Sequence, residues 1–236
     1  MTVAICVYRQ LDSREKGEKF RGLLRDVAKA TLSDEPDNKA YCWFRKSQSN
    51  TLPGEWICGF ELADENLSYE NEAALVETHR SGAEYQRMRK VVAEEELLGK
   101  TYPQIILLKP AAPSGFINRG STATVLDESD QSLVLISQYK YRAESMQNFL
   151  AEIEHMTQAC HIEPKVLAYY PMLRKDGESS VLTIFERYAS ENAHRRIKEA
   201  LDPLIARLAA LSDEIVVTTW GHGFGHLKSI SSNFEL

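Results

Sequence analysis

One order of apolar runs occurs twice along the chain, and this repeat limits the fold more than any other feature. Residues 3–9 (VAICVYR) are apolar and β-branched and predict a strand. Asp12 or Ser13 then caps a helix whose residues Phe20, Leu23, Leu24 and Val27 share one face. The loop SDEPDN (33–38) ends that helix. AYCWFRKS (40–47) and EWICGFELA (55–63) predict a hairpin turning at Pro53-Gly54. A second helix runs from about Glu70 to Leu98, broken near Ser81-Gly82, because glycine weakens a helix interior by about 1 kcal/mol. PQIILLKP (103–110) closes the set as a short buried strand.

Residues 110–130 are rich in Pro, Gly, Ser, Thr and Asp and read as a linker with little structure of its own. The order then returns. SLVLISQYKYR (132–142) is a strand, and Met146, Phe149, Leu150 and Ile153 mark a helical face. VLAYYPMLRK (166–175) and SVLTIFERYA (180–189) form a hairpin across Asp176-Gly177. A helical stretch follows, containing the cap and first-turn proline Asp202-Pro203, and DEIVVTTW (213–220) ends the set. Each half therefore reads βαββαβ. Both carry a Phe-Glu pair at the end of the third strand, Phe60-Glu61 and Phe185-Glu186. A module of this kind covers only one face of its sheet with helices. Two copies packed sheet to sheet cover the other face.

Composition narrows the function. The formal net charge of −6 argues against a phosphate-binding nucleic-acid module. Hydrophobic residues at 43 % are enough for a real core, but no apolar run has the length of a membrane span. Cys6, Cys42, Cys58 and Cys160 form no CxxC pair and no zinc spacing, and three lie in strand-like runs. The start MTVAICVYRQ lacks the basic leader and long apolar core of a secretory signal. These features lead to the expectation of a cytoplasmic protein with no membrane or nucleic-acid partner.

The stretch CGFELADEN…EAALVETHRSGAEYQRM (58–88) resembles the antibiotic biosynthesis monooxygenase family of dimeric α/β barrels. Glu61, His79, Gly82 and Tyr85 follow that family's order, with about seven extra residues in LSYENEA. In the second half, TIFERYASENAHRRIKEALDPLIARL (183–208) keeps the frame, but Glu199 and Ile205 stand where the histidine and aromatic would be, and His194 is out of register. The resemblance implies an α+β chain of two ferredoxin-like modules, residues 1–110 and 131–236 joined by 111–130, forming a pseudo-dimeric barrel. A further homodimer stays open. It also implies a cavity in each half and a cofactor-independent oxygenase of polyketide secondary metabolism, with no cofactor and no bound metal. Such an enzyme takes a small anthrone- or quinol-like aromatic with molecular oxygen as co-substrate. The alternatives are a non-oxidative cyclase, isomerase or decarboxylase on the same fold, and a non-catalytic small-molecule-binding protein. The haem-degrading relatives' first-strand asparagine is missing from both halves.

Cofactor-free oxidation calls for a base with a pKa near neutrality and for apolar walls bearing polar handles. His79, Tyr85 and Tyr188 are the catalytic candidates, and Trp43, Trp56, Tyr139, Trp220 and His222 the substrate-binding ones. His79 reads either as the base or as a helix-face histidine satisfied by a carbonyl or by Glu61. Strand alternation lets either Tyr41 and Trp43 or Cys42 and Phe44 face a helix-side cavity. Tyr139, Tyr188 and Trp220 outline a pocket in the second half, or else rim a packed sheet. The run WGHGFGHL (220–227) reads as a flexible tail lying over a pocket mouth. Gly221, Gly223 and Gly225 suggest a phosphate loop, but no helix follows and the run is not GxGxxG, and the interleaved glycines leave no helix to bring His222 and His226 together on a metal.

Overall fold

The structure is a computed structural model that describes residues 2–64, 79–98, 102–111, 115–174 and 181–230. The first half contains β1 (Thr2–Leu11), α1 (Arg14–Asp34), β2 (Asn38–Lys46), β3 (Glu55–Asp64), α2 (Ala83–Glu94) and β4 (Gln104–Pro110). After the short β5 (Thr124–Leu126), the second half contains β6 (Leu133–Tyr141), α3 (Met146–Ile162), β7 (Val166–Arg174), β8 (Val181–Tyr188), α4 (Glu191–Ala200), α5 (Asp202–Ala210) and β9 (Ser212–Leu227). The element order matches the repeat in the sequence. Ser13 caps α1 by accepting a hydrogen bond from the Lys16 amide. The helix break falls at Gly82, and Pro203 sits in the first turn of α5. Asp176-Gly177 and the first part of the second predicted helix lie outside the described residues.

All strand pairs are antiparallel. Each half has the same sheet, β2-β3-β1-β4 and then β7-β8-β6-β9. The two sheets join along both edges and close into a barrel. On one side β4 pairs with β7 through Leu108 to Pro110. On the other, β9 pairs first with β6 and then, from Trp220 onward, with β2. Closure removes the exposed sheet edges that would otherwise pair with another chain.

Two sequence expectations fail here for physical reasons. The run WGHGFGHL is not a flexible tail but the second half of β9, hydrogen-bonded to β2. Its glycines allow backbones to meet: a Cβ on Gly225, at φ +120°, would stand 2.0 Å from the Tyr41 carbonyl oxygen. Residues 115–130 are likewise not a loose linker. Phe116 and Ile117 are buried, Phe116 bridges to Tyr169, and β5 pairs with the end of β9. Arg119 donates to the carbonyls of Cys160, His161 and Glu163, which lie at the end of α3.

Alternation along the strands makes three cores. Cys6, Cys42, Cys58, Phe60, Phe185 and Trp220 fill the barrel. Tyr41, Ile57 and Leu24 pack beneath the helices of the first half, and Leu182, Tyr169 and Phe149 beneath those of the second. All four cysteines are buried free thiols.

Candidate active site

In the first half the helix-facing wall consists of Ile5, Val7 and Arg9 from β1, Tyr41 from β2 and Glu61 from β3. Helix α2 lays Tyr85, Met88 and Val92 across it, enclosing a cavity of about 350 Å³. His79 stands at its edge, 7 % exposed, with ring centroids 5.0 Å from both Tyr41 and Tyr85.

The partner of His79 is Glu35, its Oε1 2.9 Å from Nδ1. Glu35 is available because Pro36 follows it: a residue before proline is pushed out of the helical region. Its backbone accordingly leaves the helix, at φ −118° and ψ 80°, at the end of α1. With Glu35 accepting the Nδ1 proton, the lone pair of a neutral imidazole sits on Nε2. Burial alone would lower the His79 pKa. The hydrogen bond to Glu35 and the nearby Glu61 carboxylate outweigh it, and the net shift is upward.

Glu61 is held from behind. The amide of Asn38, 2 % exposed, donates to Glu61 Oε1 at 3.2 Å. Asn38 Oδ1 lies 3.2 Å from Nε2 of His226, which is fully buried. Burial lowers the His226 pKa to about 4, so its ring is neutral near pH 7. Burial raises the pKa of Glu61, and the charge of His79 opposes that shift.

Of the candidates read from the sequence, His79 and Tyr85 meet in this cavity. Trp43 shares the helix-facing side with Tyr41 but lies flat over Gly59, edge-on to Phe20, as core. Trp56 packs against the barrel core, its indole N–H donating to the Pro53 carbonyl. Trp220 is fully buried inside the barrel and donates to Thr218 Oγ1. His222 is exposed on a β-bulge at φ 48°, where the β2–β9 register shifts. The second-half pocket of Tyr139, Tyr188 and Trp220 does not form. Trp220 belongs to the barrel core, whereas Tyr139 and Tyr188 belong to the core beneath the helices. Tyr188 is spent on Glu186, donating to Oε2 at 2.6 Å while Ser137 donates to Oε1 at 2.5 Å. Sequence reasoning misses Glu35 and Asn38. Glu35-Pro36 signals a helix end, but nothing local ties it to a histidine 44 positions away.

The geometry defines a class: a closed α/β barrel formed by two ferredoxin-like halves of one chain, with a cavity lined by His79 under the helices of the first. Three solved structures share this fold over nearly the whole chain. A candidate monooxygenase from Lactobacillus acidophilus aligns at 13 % identity and TM-score 0.72, covering 97 % of this chain and 98 % of that one. Another from Fusobacterium nucleatum aligns at 9 % and 0.73, covering 96 % and 94 %. An anthrone oxidase-like protein aligns at 12 % and 0.54, covering 100 % and 95 %. The fold implied by the resemblance to the antibiotic biosynthesis monooxygenases is thus the fold observed, and it is monooxygenase-like. By sequence alone, no family model and no curated protein matches the chain. No helix among the described residues is long and apolar enough to cross a membrane.

Proposed function

We propose that the first-half cavity is the active site of a cytoplasmic oxygenase that acts on a small, ionisable anthrone- or quinol-type aromatic without an organic cofactor. His79, which lines the cavity and is hydrogen-bonded to Glu35, carries this reading. His79 Nε2 takes a proton from the substrate, and Glu35 stabilises the imidazolium that forms. Arg9, on the same wall, sets a guanidinium near the developing anion. The anion supplies the electrons for oxygen: an anthrone's activated CH₂ plus O₂ gives a carbonyl and water, and a hydroquinone plus O₂ gives a hydroxyquinone and water, so neither balance needs an external reductant. Apolar residues such as Val7, Met88 and Leu107 keep the site dry.

The test is oxygen uptake with a panel of anthrones and hydroquinones, using chelator-treated protein without added flavin. Uptake that stops in His79→Ala supports the reading. No uptake with any substrate, or unchanged uptake in His79→Ala, overturns it. Product formed equally without oxygen would instead mean a non-oxidative reaction in the same cavity.

A further inference from the structure

We propose that Glu35, Glu61 and His79 bind one divalent transition-metal ion at the wall of the first-half cavity. One ligand atom from each residue lies within 4.8 Å of those of the other two. The three come from separate segments: the end of α1, the middle of β3 and the turn of helix before Gly82. One imidazole nitrogen and two carboxylate oxygens form a mixed donor set suited to Mn²⁺, Fe²⁺, Co²⁺ or Zn²⁺. The three ligand atoms must draw closer than their present span to reach bond lengths near 2.0–2.2 Å, and two of the three residues, Glu61 and His79, line the cavity.

Two further observations point to a cation. Glu35 Oε2 is closed off from solvent and has no hydrogen-bond partner, so one acceptor of the cluster is left unsatisfied. Arg9 and Arg80 line the same cavity and Arg80 acts on Glu61, but direct pairing of the carboxylates is sparse. Among the described residues neither carboxylate makes an ion pair with a lysine or arginine within 4.0 Å, and His79 is the ion-pair partner of Glu35. The second half provides an internal comparison. Glu186, at the position matching Glu61, has both oxygens satisfied by the hydroxyls of Ser137 and Tyr188. That copy of the carboxylate is held by two side-chain hydroxyls, whereas Glu61 takes its side-chain hydrogen bond from Asn38 and also lines the cavity. Asn38, braced by His226, orients Glu61 from outside as supporting groups orient metal ligands.

An ion on Nδ1 leaves the ring proton on Nε2, so the loaded site no longer holds a free base. Occupancy and the proton abstraction proposed above then exclude each other. That consequence rests on the oxygenase reading; the binding itself does not.

The experiment uses chelator-stripped full-length protein titrated with Co²⁺, followed by visible d–d absorption and calorimetry, without substrate. One Co²⁺ per chain is expected, displaced by Zn²⁺. Glu35→Gln, Glu61→Gln and His79→Gln should each weaken binding at least tenfold, while His155→Gln and His222→Gln leave it unchanged. Circular dichroism checks folding, and Glu35→Gln, the mildest change, decides the matter if a variant of the more buried residues does not fold. The absence of cobalt bands, or bands that survive Glu35→Gln, overturns the proposal. Because no oxygen or substrate is involved, this failure is separable from failure of the oxygenase reading.

Discussion

Phe60 and Phe185 stack at the centre of the barrel, their ring centroids 4.2 Å apart and their planes within 11° of parallel. They are the phenylalanines of the two repeated Phe-Glu pairs, so the duplication meets itself there. Their glutamates follow by alternation on the opposite face, each under its own half's helices. Truncating either ring leaves a cavity that the closed barrel cannot collapse. Phe60→Ala and Phe185→Ala should each cost about 3–5 kcal/mol in urea unfolding. The double variant should lose less than the sum, because each single change already removes the stack.

In the proposed oxygenase, the Glu35–His79 hydrogen bond joins the base to the group that orients it. His79→Ala should lower turnover by about 10²–10⁴-fold, the usual range for removing a general base. Glu35→Gln keeps the shape but loses the charge facing the imidazolium. A charged hydrogen bond of about 1.5–3 kcal/mol corresponds to a loss of roughly 10- to 100-fold. Steady-state kinetics of both variants on one substrate will check the ranking.

Gly225 is where the second half's last strand seals the barrel against β2. Its φ of +120°, and the mere 2.0 Å that would separate an added Cβ from the Tyr41 carbonyl oxygen, leave no room for a side chain. Gly225→Ala should cost at least about 2–3 kcal/mol, and more if the β2–β9 seam opens. Thermal melting gives the loss. Faster amide exchange along β2 would locate it at the seam.

His226 makes stability depend on pH in a defined direction. Its pKa falls from an ordinary 6.5 to about 4 in the folded chain, because burial penalises the charged ring and Lys228 lies near. Between those values the unfolded chain binds the extra proton. The contribution is therefore present above about pH 6.5 and is lost as pH falls toward 4, by about 3 kcal/mol at most. Melting of the wild type from pH 7 to 4.5 should fall more steeply than that of His226→Gln.

Much of the architecture is legible in the chain. Phe20, Leu23, Leu24 and Val27 mark α1, the alternation around Tyr41 to Phe44 marks β2, and the doubled order gives the two modules. These are local periodicities, set by the geometry of helix and strand and therefore written into neighbouring residues. His79 and Tyr85 are readable for a different reason, as a short spacing that resembles a known pattern. Trp56 and Trp220 mislead because an aromatic on a strand looks the same from sequence whether it faces the barrel or the helices.

By itself, then, the sequence determined the elements, their duplication and one half of the Glu35–His79 pair. Tertiary structure decided the rest. It turned the glycine-rich end into the strand that closes the barrel, packed Tyr139, Tyr169 and Tyr188 beneath the second half's helices, and set a cavity in the half where Glu35 reaches His79. The reason is range. Periodicity acts over a few residues, whereas closure, cavity and acid–base pairing depend on contacts between segments tens to hundreds of positions apart, which no local pattern encodes.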